Sequence, residues 1–96
     1  MTTRYVIVTT EYRGVYFGEF DEEYARTAEP GSRECVLKNA RMAIYWGTTK
    51  GVDQLAATGP TDKSRLGATA PKVWLCGITS IVDCTPEAVE RWHAAP

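Results

Sequence analysis

The run VLKNARMAIYWGTTKG, from Val36 to Gly51, constrains the fold more than any other stretch of this chain. Read as a helix, it would place Val36, Leu37, Ala40 and Ile44 on one stripe. Read as a strand from Arg41 onward, it turns Met42, Ile44 and Trp46 one way and Arg41, Ala43 and Tyr45 the other. Two features favour the strand. The preceding RECVLK is itself strand-like, and no helix cap stands before it. Lys38-Asn39 also offers a bend, because asparagine tolerates positive φ. The reading is two short strand segments joined by a kink at Asn39.

A second segment repeats that pattern. In VWLCGITSIVDC, a strand, an irregularity at Gly77 and another strand follow one another as they do around Asn39. Two bent strands predict one curved sheet of the kind found in small barrels. RYVIVTT and VYFGEFD, joined by EYRG, read as a hairpin with Val15, Phe17 and Glu19 on one face and Tyr16, Gly18 and Phe20 on the other. EEYARTAEPGS reads as a surface excursion closed by the turn Pro30-Gly31.

KGVDQLAATGP is predicted as a short helix with Val52, Leu55 and Ala56 inward and Gly59-Pro60 as its stop. TDKSRLGATAP reads as a loop. TPEAVERWHAAP is predicted as a closing helix: Thr85 caps it, Pro86 takes the first helical position, and Glu87 complements the dipole. Val89 and Trp92 should pack inward, with Glu87 and Arg91 paired four residues apart. The expectation is a single domain over residues 1–96. Its class is α+β and β-dominated: a curved antiparallel sheet or small SH3-like barrel with a short middle helix and a C-terminal helix.

Composition narrows the function. With ten aromatic residues (three Trp, five Tyr, two Phe) the chain has the makings of a packed core. A domain of this size buries only about 60–65% of its unfolded surface, so a homo-oligomer would add useful burial. No apolar run reaches the roughly 20 residues of a membrane span, and no signal-peptide h-region opens the chain, so a cytoplasmic protein with no membrane partner is expected. The net charge of −1 argues against nucleic-acid binding of the strongly basic kind. Yet residues 38–75 hold six cations (Lys38, Arg41, Lys50, Lys63, Arg65, Lys72) against two acids (Asp53, Asp62). That segment could attract an anion. Cys35, Cys76 and Cys84 lie in apolar contexts without a C-x-x-C pair and read as buried free thiols.

No nucleophile–base–orienter set is visible. The one histidine, His93, lies three residues from the end, and the acids Asp21, Glu22 and Glu23 read as a solvated turn. Enzyme activity, a metal and a cofactor are therefore not expected. Binding is better supported. WGTTKG leads into a helix N-terminus, where Thr48, Thr49 and Lys50 would add donors to unpaired N–H groups. Thr61, Lys63 and Arg65 belong to the same positive segment, and Arg41 and Tyr45 could present a guanidinium and a ring. On this reading Arg41→Ala or Arg65→Ala should abolish anion binding and leave the fold intact. A competing reading makes Tyr45, Trp46 and Trp74 anchors of a protein–protein surface.

The motifs RGVYFGEF, CVLKNARMAIYW, GVDQLAATGPT and CTPEAVERW resemble a family of small uncharacterised proteins of tailed bacteriophages and prophages. The resemblance runs from about Tyr5 to Trp92. It implies an accessory protein that acts by binding in the host cytoplasm: it would engage a host protein or sequester a small anionic, nucleotide-like defence signal. A structural or assembly component of the virion is the alternative it implies.

Overall fold

A computed structural model describes residues 3–11, 14–29, 32–45, 53–61 and 64–95, with the backbone alone at Tyr45. Among these residues the elements run β1 (Tyr5–Thr10), β2 (Val15–Phe20), α1 (Glu22–Thr27), β3 (Glu34–Tyr45), α2 (Asp53–Ala57), β4 (Arg65–Leu66), β5 (Ala70–Cys76), β6 (Ile78–Asp83) and α3 (Pro86–Ala94). Every strand pairing is antiparallel. The order is β4-β3-β2-β1-β6, with β5 beside β3. The β-dominated α+β class therefore holds. The six strands form an open sheet, and no ladder among the described residues closes it into the SH3-like barrel that the sequence suggested.

The contested stretch is extended. β3 runs twelve residues without a break, and its irregularity falls where the sequence placed it: Asn39 has φ 50°. Phe17 stands opposite Arg41 and Glu19 opposite Lys38, so Asn39 and Ala40 together face Gly18. This is a β-bulge, and it reverses which face successive residues occupy. Cys35 and Leu37 before it and Ala40 after it thus enter the same core cluster. The bulge also requires glycine at position 18, because a Cβ there would lie 2.9 Å from Leu37 Cβ and 3.2 Å from Ala40 Cβ. Gly77, with φ 67°, separates β5 from β6 as expected.

Each face of the sheet has its own core. On one, Val6 and Val8 of β1 meet Cys35, Leu37, Ala40 and Leu75. On the other, Ile7, Val15, Phe17 and Ala43 lie under Leu55 and Ala56 of α2 and Ala88 and Trp92 of α3. Phe17 is stacked between Tyr5 (5.5 Å) and Trp92 (4.7 Å). His93 meets Tyr5 and Phe17 edge-on, at 5.2 and 5.8 Å. Burying one such large ring removes roughly 150–250 Å² from water, worth about 4–6 kcal/mol. This face carries the strongest apolar anchor of the fold.

Both anticipated helices form. Thr85 Oγ1 accepts from Ala88 N–H at 3.1 Å and donates to Ala57 O at 2.6 Å, so one hydroxyl caps α3 and ties it to α2. Trp92 Nε1 donates to Leu55 O at 3.1 Å, and Glu87 pairs with Arg91 at 3.3 Å. Val52 lies outside the described residues. Two elements were not anticipated. EEYART is a helix, α1, whose N-cap Asp21 accepts from Tyr24 N–H at 3.0 Å. RL of the supposed loop forms β4, which pairs with the end of β3. Among the described residues, no helix is long and apolar enough to cross a membrane.

Candidate functional site

Of the residues singled out from the sequence, the structure describes Arg41, Thr61 and Arg65 in full and Tyr45 by its backbone alone. Arg41 is turned inward and only 9% exposed. Its Nε donates to Gly67 O at 2.9 Å, and its Nη1 donates to Trp92 O at 3.1 Å and Ala95 O at 2.9 Å. The last carbonyls of a helix lack intrahelical partners, and the negative end of the dipole favours a cation there. Arg41 is therefore a strut that joins β3 to the end of α3 and to the segment after β4. The expectation that Arg41→Ala would spare the fold is corrected by these three bonds.

Thr61 closes a turn: its N–H donates to Ser64 Oγ at 3.1 Å, and Ser64 N–H donates back to Thr61 O at 3.0 Å. Arg65 is exposed on β4, opposite Tyr45. Trp46, Thr48, Thr49, Lys50 and Lys63 lie outside the described residues, as does the side chain of Tyr45.

Two adjoining clefts share Thr3, Arg4 and Glu22. One, of about 670 Å³, has Tyr5, Cys84, Pro86 and Val89 among its walls. The other, of about 540 Å³, is more polar and is lined by Glu19, Asp21, Glu23, Arg26 and Lys38. Arg4 stands between them, bonded through Nε to Asp83 at 2.7 Å and through Nη1 to Glu22 at 3.5 Å, with its guanidinium 4.9 Å from the Phe20 ring centre. The hydrogen bond to Asp83 comes first among the causes that raise its pKa above the ordinary value. A cation held by two carboxylates and a ring is a poor lure for a further anion, so the clefts are chemically self-satisfied at their centre.

The face of β3 and β5 differs. Lys38 and Lys72 are direct cross-strand partners, as are Val36 and Trp74. Side chains two apart on a strand share a face, so Lys38, Lys72 and Trp74 project together. Trp74 is 64% exposed. Lys72 Nζ lies 4.7 Å from its ring centre, and Tyr24 of α1 packs against it edge-to-face at 5.4 Å. Like charges directly opposite each other on a ladder destabilise it by about 0.2–1 kcal/mol. Neither lysine forms an ion pair among the described residues, although Glu19 stands opposite Lys38 on the β2 side. The structure thus sets two cations side by side next to a large solvated ring, with Glu19 on the far side of Lys38. Composition marked the positive segment that contains both lysines, but their juxtaposition depends on strand register.

Among the described residues, no group of three or more His, Cys, Asp and Glu side chains is placed to hold a metal ion. All three cysteines are free, but only Cys35 is fully buried; Cys84 is half-buried and Cys76 is exposed. Burial pushes the Cys35 thiol up to about 11 and, together with the nearby Asp83 charge, pushes Cys84 up to about 12. These two thiols stay protonated and unreactive near neutral pH.

The fold and this face define a β-dominated α+β domain with an exposed aromatic–basic surface. The chain belongs to the domain of unknown function DUF6948, whose family model matches residues 3–92. No curated protein and no solved structure matches it.

Proposed function

We propose that this chain is a small, non-enzymatic accessory binding protein that engages an anionic partner through the β3–β5 face. One observation carries the reading: Lys38 and Lys72 stand in direct register beside a tryptophan that is 64% exposed. An uncovered tryptophan and a like-charged pair in direct register both carry a free-energy cost, and covering them with an anionic surface would relieve both. Tryptophan and tyrosine are also common anchors of binding hot spots. The resemblance of its motifs to small tailed-phage and prophage proteins is in keeping with an accessory role of this kind in an infected cell. There the partner would be a host protein or a small nucleotide-like anion.

The test is amide and indole NMR of the folded chain, titrated with acidic peptides and with nucleotides. Saturable shifts at Lys38, Lys72 and the Trp74 indole, lost in a Lys38→Glu/Lys72→Glu variant, are the expected result. If both classes of probe leave those signals unmoved, the proposal fails.

A further inference from the structure

Resting on that binding reading, we infer that the occupant of the β3–β5 face is an acidic, extended segment of a protein partner. Shape is the first argument. Small-molecule sites are concave and enclose most of their ligand, whereas on this face only Lys38 borders a cleft, Lys72 and Trp74 line neither, and Trp74 is largely open to solvent. A nucleotide placed here would keep most of its surface in water.

The second argument concerns the ring itself. The Lys72 ammonium already covers one face of the indole, and Tyr24 packs against it edge-to-face. The indole is therefore fixed as a rigid anchor rather than held open as a stacking slot for a base.

Charge supplies the third argument. Two lysines present separate point charges without the planar fork that grips a carboxylate or a phosphate on two oxygens, so they suit single acidic groups spaced along a chain. Acidic neighbours bound the positive strip: Glu19 lies on the β2 side, and Glu22 and Glu23 lie on α1. The complementary charge on the partner is thus confined to a narrow line. Lys72 and Trp74 are two residues apart on one face, so an extended segment that lies along them would carry an acidic residue two positions from an apolar one. It would lie on the face rather than extend the sheet, because Pro71 and Lys72 blunt the β5 edge.

The experiment titrates the folded chain with a short synthetic peptide of alternating Glu and Leu, with its Gln–Leu counterpart, and with ATP and a cyclic dinucleotide, following the Lys38 and Lys72 amides and the Trp74 indole N–H. The Glu–Leu peptide is expected to saturate these signals and to weaken about tenfold between roughly 50 and 500 mM salt. The Gln–Leu peptide and both nucleotides should not saturate them. A Lys38→Glu/Lys72→Glu variant whose spectrum shows an intact fold should lose the response. Saturation by a nucleotide at the same signals overturns this inference and leaves the broader binding reading standing. Silence from every probe overturns both.

Discussion

β3 passes through two regions that treat the same residue types in opposite ways. Beyond the Asn39 bulge, the strand lies under α3. There its cation, Arg41, is inward and bonded to three carbonyls, while Trp92 is 0% exposed and donates its indole N–H to Leu55 O. Before the bulge, the strand runs beside β5. There its cation, Lys38, is exposed opposite another lysine, and the neighbouring tryptophan is open to water. In the first region the Arg41 guanidinium and the Trp92 indole N–H are satisfied internally, so these side chains serve the fold. In the second two like charges stand in register and the tryptophan is exposed, so these side chains add little to the core. Residue type alone does not distinguish structure from surface here; the register and the helices laid over it do.

The contrast breaks first at the two tryptophans. Trp92→Ala should cost about 3–5 kcal/mol in a urea unfolding experiment, because it leaves a cavity beside Phe17 and an unpaired Leu55 carbonyl. Trp74→Ala should stay within about 0.5 kcal/mol of the parent, as surface changes do. Equal losses at the two positions would erase the distinction between the regions.

Arg41→Ala comes next, at about 2–3 kcal/mol, since it strips partners from a buried and a part-buried carbonyl at the end of α3. Arg41→Lys should recover only part of that loss, because a point ammonium does not reproduce the guanidinium fork that spans Gly67 and α3. A negligible effect of Arg41→Ala on the unfolding midpoint would remove the strut.

A smaller effect sharpens the other side. A double-mutant cycle with Lys38→Ala and Lys72→Ala should return a repulsive coupling of about 0.2–1 kcal/mol that shrinks as salt is added. An attractive coupling would contradict repulsion between the two lysines.

The smallest signal is alkaline. The Cys35 and Cys84 thiols stay protonated in the folded chain up to about 11 and 12, whereas in the unfolded chain they ionise near 9.0. The folded state then binds more protons, so this contribution is intact below pH 9 and is lost as pH rises toward 11 and 12. At pH 8 the exposed Cys76 should react with a thiol reagent well before Cys35 and Cys84, as counted by mass spectrometry.

Much of the fold was legible because its signals are local. The β1–β2 hairpin follows from alternation about a glycine turn, and α3 from Thr85, Pro86 and Glu87 at its start. The bulge was legible from Asn39, since few other residues adopt φ near 50°. α1 was missed although Asp21, Glu22 and Glu23 form a cap and an acidic first turn. Six residues are too few to hold a helix alone, so its existence depends on its cap and its seat against β3. β4 has two residues and exists only through its partner strand. Of the candidate site, only the positive bias of the middle segment could be read in advance. The inward turn of Arg41 and the meeting of Lys38 with Lys72 join residues 51 and 34 positions apart, or follow from them.

Alternation, caps and the one asparagine that accepts positive φ are properties of neighbouring residues, and so the sequence by itself determined where most strands, the bulge and two helices lie. Tertiary structure decided which cation is buried and which tryptophan meets solvent. Those outcomes depend on strand register and on which helix covers which half of β3, and both are set by contacts between distant parts of the chain.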